Sequence, residues 1–353
     1  ESKLKFVGLH AHSCAGSPVD ALGYPGEHMD FAYENGMNAI ALTDHGNMNG
    51  FAWQVEHAKK MKEEGKDFKP IFGCEAYYVP SVEKWWKNYD HNKKTKKEIA
   101  KGVVMEDADK HRKIVPNSHF LLLAKNQTGL NNLFKLVSSS FQEKNFYRKP
   151  RIDLALLKKY SEGLIATTTC ISGPFAKVVW ENSELNHHEL LEIMRPMIEE
   201  FLSVFKDDYY CELQWNNIPE QHRLNQCIID LAKEYNIKLI STVDSHYARP
   251  ELWRDRELYK RLGWLGASKK PDWLSDIIPN DVDEIGYELY PKNGDQVYDS
   301  YLKYSKECGF VYDPKIIKES IENTYAIAHN KIQDFEPDST VRLPGFVVPE
   351  GST

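Results

Sequence analysis

Two pairs of potential metal ligands are spaced for strand geometry. His10 and His12 are two residues apart, and so are Asp244 and His246. Side chains at positions i and i+2 of a β-strand point to the same face, so each pair can present two donor atoms to one cation. A single such histidine pair also occurs as a hydrogen-bonded core or surface feature. The second pair strengthens the interpretation as a metal site.

Further residues of metal-ligand type lie beside or within short apolar runs. Such runs, bounded by polar and glycine residues, are typical of buried strands. The runs are residues 5–9 before His10 and His12, 39–42 before Asp44 and His45, 71–79 around Glu75, 120–123 after His119, 164–165 before Cys170, and 239–243 before Asp244 and His246. Buried parallel strands with such residues at their ends build the active site of a β/α barrel. The pattern predicts a metal cluster at one barrel end.

Three residues near these runs need separate interpretation, because Glu75 and Asp44 each allow two roles and Gly46 bears on the turn after His45. Glu75 lies in an apolar strand, where a carboxylate is costly unless a cation or hydrogen bonds compensate it. The alternative is an edge strand with Glu75 facing water. Asp44 either orients a neighbouring ligand or acts as a helix cap or turn residue. Gly46 permits a sharp turn after His45.

The segments between the apolar runs have helical patterns. Residues 25–35 are followed by Gly36 and residues 51–64 by Gly65, and a glycine is a common helix end. Alternating helices and strands favour a parallel α/β barrel. The 353 residues suffice for one barrel with insertions or for two smaller domains, and we favour one barrel plus a tail.

Composition narrows the class of protein. The six cysteines include no CxxC pair and are too few for a disulfide scaffold, which favours a reducing compartment. No run approaches the roughly 20 apolar residues of a membrane span, and no signal peptide is recognised, so we expect a cytoplasmic protein without membrane contact. The net charge of -7 argues against a surface covered with nucleic-acid-binding charge, although a local basic patch remains compatible with it.

Two segments interrupt the barrel pattern. Residues 84–113 carry ten Lys or Arg against five Asp or Glu, with Trp85, Trp86 and Tyr89 near the start. We interpret them as an insertion, either a solvated loop or hairpin or an arm that guides a DNA strand by stacking and phosphate contacts. After residue 250 the pattern gives way to a linker with Trp264 and Trp273, a helix near 316–329, and a proline-rich ending at 343–349.

Taken together, the motifs resemble the N-terminal PHP (polymerase and histidinol phosphatase) domain of bacterial DNA polymerase III alpha subunits, with a divergent or phage-encoded member possible. The stretches that carry the resemblance are LHAHS at 9–13, AIALTDHGNM at 39–48, GCEAY at 73–77, HFLLLAKN at 119–126, PRID at 150–153, GLIATTTCISG at 163–173, DSHY at 244–247 and LPGFVVPEG at 343–351. The resemblance implies a distorted (β/α)7 TIM-like barrel over residues 1–250. Residues 251–353 would form the end of the domain and a linker toward the polymerase palm.

The resemblance also implies up to three divalent ions, Zn, Mn or Fe, because imidazole, carboxylate and thiolate ligands suit these better than Mg. The nine implied ligands are His10, His12, Asp20, His45, Glu75, His119, Cys170, Asp244 and His246. One ion would be held by His10, His12, Glu75 and Asp244, which are also the implied catalytic residues. A second would be held by Glu75, His119 and Cys170, and a third by Asp20, His45 and His246.

The implied activity is a metal-dependent 3′ to 5′ exonuclease that proofreads for the polymerase core of the same full-length chain. Its implied partners are DNA with a single-stranded primer 3′ end, that polymerase core and other replisome subunits. One alternative is a free-standing phosphomonoesterase of the histidinol phosphatase type, against which the polymerase-like stretches at 150–153 and 343–349 argue. Another is a metal-stabilised module without catalytic activity.

Overall fold

The computed structural model describes residues 3–104, 106, 111–264, 288–343 and 345. Its strands are β1 (Ala39–Leu42), β2 (Lys69–Tyr78), β3 (Ser118–Ala124), β4 (Arg151–Ile152), β5 (Leu164–Thr167), β6 (Tyr209–Gln214) and β7 (Leu239–Thr242). Its helices are α1 (Pro25–Glu34), α2 (Phe51–Glu63), α3 (Val82–Ala100), α4 (Gln127–Ser140), α5 (Leu154–Tyr160), α6 (Pro174–Glu181), α7 (His187–Phe205), α8 (Pro219–Glu234), α9 (Trp253–Trp264), α10 (Gly294–Cys308) and α11 (Pro314–Ala326). The predicted alternation of helix and strand is confirmed.

The strands form one sheet in the order β1-β2-β3-β5-β6-β7, with β4 paired to β2. β1 and β2 are parallel, and so are β5, β6 and β7. β3 runs antiparallel to both of its neighbours, β2 and β5. The prediction of an all-parallel sheet is therefore wrong for β3, because an apolar run indicates that a strand is buried but not which way it runs.

The segment at residues 8–12 closes the curled sheet. The carbonyl of Gly8 accepts a hydrogen bond of 2.7 Å from the Ala41 amide on one side. On the other side, the His12 amide donates to the Ser245 carbonyl, also at 2.7 Å. The segment thus bridges β1 and the end of β7, and the distorted α/β barrel implied by the sequence is confirmed.

Two apolar layers follow from the alternation of side chains along each strand. One cluster lies inside the barrel, and a larger one lies between the sheet and its helices. The inner cluster includes Ile327, Ala328 and Ile332, which belong to or directly follow the π-helical turn Ile327–Lys331 after α11. These residues fill the barrel at one end. None of the described helices is long and apolar enough to cross a membrane.

Where the structure describes them, residues 84–113 do not form the expected loop or hairpin. They lie largely in α3, whose first turn is capped by the Ser81 hydroxyl, which accepts a 3.2 Å bond from the Lys84 amide. The helix forms because Lys, Glu and Trp tolerate helical geometry and no Gly or Pro interrupts residues 82–100.

The region after residue 250 is mostly helical where the structure describes it. The predicted helix near 316–329 is confirmed as α11 with its π-turn, whereas α10 was not predicted. Tyr301 and Ile317 from these helices are buried in the outer core. The boundary at residue 250 stays a prediction. Trp273, Pro344 and residues 346–353 lie outside the described residues.

Candidate metal centre

The implied ligands lie at one end of the barrel, which we call the mouth. It is the end at which the parallel strands finish: His45 follows β1, and Asp244 and His246 follow β7. Glu75 lies within β2, and its backbone forms an isolated parallel β-bridge with the backbone of His45. His119 precedes its apolar run rather than following it. It still reaches the mouth, because the reversed direction of β3 places the first residues of that strand there.

Four side chains form the centre of the cluster. His10 Nε2 contacts Glu75 Oε2 and lies 3.2 Å from Asp244 Oδ1. His12 Nε2 lies 2.9 Å from the same Asp244 oxygen and 3.7 Å from Glu75 Oε2. Nitrogen and oxygen donors from four residues thus converge at distances that one cation could bridge.

The donor atoms of this group are buried and have no hydrogen-bond partner outside the cluster among the described residues. They are His10 Nε2, His12 Nε2, both carboxylate oxygens of Glu75, and Asp244 Oδ1. Buried polar atoms of native proteins are nearly always satisfied, and unpartnered carboxylate oxygens are especially costly. These atoms instead face one another across the cluster, and such convergence of nitrogen and oxygen donors fits a site for divalent cations.

Glu75 connects this group to a second one. Its Oε1 atom lies 3.2 Å from His45 Nδ1 and contacts His119 Nδ1. Cys170 Sγ lies 3.6 Å from the same His119 nitrogen. The edge-strand alternative for Glu75 is wrong, since its side chain is fully buried between imidazoles. Its two oxygens therefore face different groups of donors, as a carboxylate that bridges two cations requires.

Asp20 brings a third group together. Its Oδ2 atom lies 3.0 Å from His45 Nε2 and 3.2 Å from His246 Nε2. Arg256, which was not predicted, holds Asp20 through a 2.9 Å bond to Oδ1 and a 2.7 Å bond to its backbone carbonyl. Arg256 belongs to α9, so a helix beyond residue 250 contributes to the geometry of the mouth.

Mutual compensation of charge governs protonation in the cluster. Burial alone would raise the pKa of Glu75, but the imidazoles of His119 and His10 hold it well below its usual range. Burial alone would lower the pKa of His10, which the carboxylates of Asp244, Glu75 and Glu212 instead raise well above its usual value. The pKa of His45 rises to about 10 despite its burial, because Asp20 and Glu75 are close. Protonated imidazoles thus neutralise the carboxylates, a role that cations can take over.

Glu212 in β6 supports His10 from behind. Because a carboxylate only accepts, His10 donates its Nδ1 proton to Glu212 Oε1 at 2.7 Å. This fixes the tautomer and leaves Nε2 to face the cluster. The hydroxyls of Thr167 and Thr242 each donate to Glu212 at 2.5 Å. Glu212 was not predicted, although a carboxylate inside an apolar strand is the same signal that identified Glu75.

Asp44 acts behind the cluster rather than as a helix cap. Its Oδ1 accepts bonds of 2.7 Å from the Ser13 amide and 2.8 Å from the Ser17 hydroxyl. The Ser17 hydroxyl in turn lies 3.5 Å from His12 Nδ1. The residue that caps α2 is Gly50, so the cap interpretation is wrong. Asp44 orders the loop that supports His12.

The backbone around the cluster is constrained at two positions. Gly46 has φ +69°, and a Cβ atom there would lie 2.8 Å from the Tyr77 ring, so the predicted sharp turn requires glycine. Asp244 has φ 58° without being a glycine. This left-handed conformation is unfavourable for a side-chain-bearing residue, and such strain is concentrated at functional sites.

Comparison with known proteins identifies the family of the chain. The profile of the PHP domain matches residues 8–216. The chain is 39% identical to a DNA polymerase III subunit alpha of Aquifex aeolicus, over 70% of this chain and 18% of the relative. It is 32% identical to the corresponding subunits of Borreliella burgdorferi, over 98% and 25%, and of Thermus aquaticus, over 100% and 25%. The chain spans a quarter or less of the length of these relatives.

A solved histidinol phosphate phosphatase from Lactococcus lactis is 14% identical over 74% of this chain and 94% of its own, with a TM-score of 0.31. That similarity is too low to bear on function. The profile match covers more than half of the 353 residues, and it includes the strands from β1 to β6. The chain belongs to the PHP domain family.

Proposed function

We propose that this chain is the PHP domain of a replicative DNA polymerase III alpha subunit, and that its mouth hydrolyses phosphodiester bonds at the 3′ end of a DNA strand. Three features support the proposal: membership of the PHP family, similarity over most of the chain to polymerase III alpha subunits, and the geometry of the mouth. The observation that carries it is the convergence of buried donor atoms from His10, His12, Glu75 and Asp244 on one another.

We assign up to three divalent ions to the mouth, held by the three groups of residues described above. Zn, Mn and Fe suit this mixture of imidazole nitrogen, carboxylate oxygen and one thiol better than Mg does. When bound, such ions supply Lewis-acid activation of water and neutralise charge on the phosphate. Cys170 would lose its proton on binding an ion, since burial and the nearby Glu75 raise its thiol pKa well above the usual value.

The residues of the chain have distinct tasks in this scheme. Glu75 and Asp244 supply negative charge that concentrates cations at the mouth. Glu212 holds His10 in the tautomer that presents Nε2, and Arg256 holds Asp20 in place. The burial of His10, His12 and Glu75 excludes bulk water and strengthens each electrostatic interaction there.

The proposed partners follow from the relatives. They are DNA with a single-stranded primer 3′ end, the polymerase core of the same full-length chain and other replisome subunits. The proposed location is the cytoplasm. Within this scheme residues 1–250 form the hydrolytic barrel, and residues 251–353 complete it and lead toward the polymerase core.

Elemental analysis and a primer-degradation assay test the proposal together. The purified chain should contain divalent metal and should shorten a 5′-labelled, mismatched primer one nucleotide at a time from its 3′ end. The His10→Ala variant, prepared in parallel, should lose this activity, and equal rates for both proteins would indicate a contaminating nuclease. Activity confined to small phosphate monoesters would favour the phosphomonoesterase alternative. Bound metal without turnover of either substrate would favour the structural module.

A further inference from the structure

A basic surface begins at the mouth and extends over α3. Residues 84–117 and 144–151 carry 14 Lys and Arg against 5 Asp and Glu, whereas the rest of the chain carries 31 against 47. Twelve of these cations are exposed, and we call them the basic strip: Lys84, Lys87, Lys93, Lys94, Lys96, Lys97, Lys101, Arg112, Lys113, Lys144, Arg148 and Lys149. Positive charge is thus concentrated on one surface of an acidic protein.

Packing holds the parts of the strip together. The Trp85 ring lies 4.7 Å from the Tyr147 ring, and the buried Arg151 guanidinium lies 4.2 Å from Trp85. Trp86 Nε1 donates to the Lys144 carbonyl at 2.6 Å. The aromatic residues that suggested stacking of bases therefore pack mainly on one another and on Arg151. They order the strip, and its exposed cations are left to bind an anion.

The returning segment at residues 111–117 is fixed to α3 in the same way. Asn92 Oδ1 accepts a 2.7 Å bond from the Arg112 amide, and Asn88 Nδ2 donates to the Lys113 carbonyl at 3.0 Å. Between helix and segment lies a cleft of about 440 Å³, lined among others by Lys84, Arg112 and Lys113. Three cations around one cleft make a suitable position for a phosphate group.

Few of these cations are neutralised within the protein. Lys113 Nζ lies 3.2 Å from Glu181 Oε2. The other eleven members of the strip form no ion pair with a carboxylate of the residues that the structure describes. Exposed cations that lack such partners cost no ion pair when they bind a polyanion, and the released counterions favour binding.

The strip is continuous with the mouth. Lys149 Nζ lies 5.0 Å from the centre of the Tyr77 ring. That ring in turn lies 5.7 Å from the His119 ring and 6.3 Å from the His45 ring. A strand whose terminal phosphodiester lies at the mouth can therefore place its following phosphates on Lys149 and then on α3.

We propose that the basic strip binds the phosphate backbone of single-stranded nucleic acid, without reading its sequence, and leads the strand to the mouth. The inference extends the proposed function and rests on it for the direction of the strand, but binding to the strip does not require hydrolysis. Two observations favour nucleic acid as the partner: the complementary charge of the strip and its continuity with a site built for phosphodiesters.

Binding of a fluorescein-labelled oligothymidylate to the 353-residue chain, followed by fluorescence anisotropy over a range of salt concentrations, tests the strip. The variant replaces Lys87 and Lys94 of α3 and Lys101, which directly follows the helix, by glutamine; these lysines recur every seven residues. Each lost phosphate contact should lower the slope of log K against log salt by about 0.7, so the triple variant should lose about 2. Its affinity at low salt should fall by at least roughly tenfold.

A matched control replaces Lys59, Lys60 and Lys62 of α2 by glutamine, which changes the net charge equally. These lysines are exposed but pair with carboxylates of Glu56, Glu64 and Glu336. The control should keep nearly wild-type affinity. Equal losses of affinity in both variants would mean that binding depends only on the net charge of the protein, and the proposal would be overturned. The proposal would also be overturned if polyglutamate bound as tightly as the oligonucleotide and with the same dependence on α3, since that would indicate an acidic protein partner.

The His10→Ala variant separates this proposal from the proposed function. It should bind the oligonucleotide normally while losing hydrolysis. If neither the wild type nor any variant hydrolyses DNA, but only the α3 variant loses binding, the proposal for the strip is supported and the proposed nuclease function is overturned. If hydrolysis of long single strands proceeds with the same KM in wild type and the α3 variant, the strip is wrong and the nuclease stands.

Discussion

The two ends of the barrel are built by the same strands but filled in opposite ways. At the mouth, histidine and carboxylate donors converge, and several of their atoms have no hydrogen-bond partner. At the other end, Ile327, Ala328 and Ile332 fill the interior with apolar contacts. The apolar end is stabilised by its own packing, whereas the buried charges at the mouth depend on one another or on a bound cation for compensation. We therefore expect stability and the proposed function to depend on different ends.

The largest expected effect is at the mouth. Glu75→Gln removes the carboxylate that faces two groups of donors and should lower hydrolysis by about a thousandfold, because metal-ion stabilisation contributes several kcal/mol. Primer degradation and elemental analysis measure the loss of activity and of metal. The exposed Glu63 of α2 offers a control of the same chemistry, and Glu63→Gln should behave as wild type. Full activity of Glu75→Gln would mean that hydrolysis does not depend on this carboxylate of the mouth, contrary to the distinction between the two ends.

At the opposite end, Ile327→Ala should lower the free energy of unfolding by about 2–5 kcal/mol, since Ile327 is buried and its truncation leaves a cavity. Metal content per folded chain should not change. Chemical denaturation measures the first quantity and elemental analysis the second. Val341→Ala, at an exposed position, should change stability by less than about 0.5 kcal/mol. Loss of metal in Ile327→Ala would mean that the two ends are coupled.

A smaller effect is expected one layer behind the mouth. Glu212→Gln should lower metal affinity by roughly 10–100-fold, because the residue then orients His10 less strongly and no longer favours the required tautomer. Competition with a metal-binding dye measures this affinity. Glu234→Gln, which breaks a surface contact with Arg195, serves as the control. If both variants bind metal equally well, Glu212 does not support the site.

The smallest expected effect is on the number of protons released when the protein binds metal. The pKa of His45 is raised from 6.5 to about 10, so it is protonated at neutral pH in the metal-free protein and must release that proton to bind an ion. Metal affinity should therefore increase with pH up to about 10. The stability that protonated His45 contributes to the metal-free fold is fully present below pH 6.5 and is lost as pH rises through about 10. Calorimetry in buffers of different ionisation enthalpy counts the protons, and His45→Gln should release fewer.

Much of the mouth could be predicted because its residues follow apolar runs at characteristic spacing and resemble a known family. Local patterns could not reveal the direction of β3, because burial is the same for either direction. Arg256 was missed for a related reason: its role depends on where α9 packs, which no local pattern encodes. Glu212 differs, since the apolar strand around it carried a usable signal. The charge of residues 84–113 was part of the prediction, whereas the helix Val82–Ala100 was not.

The reversed direction of β3 has a consequence for how such a barrel can vary. In a regular β/α unit, the connection leaves one rim and must cross to the opposite rim before the next strand starts. Residues 79–117 instead depart from and return to the same rim, because β2 ends where β3 begins. Their length is therefore not tied to the height of the barrel. This connection can therefore differ in length between relatives without changing the register of any strand pair. It is a suitable place for residues that determine which ligand binds.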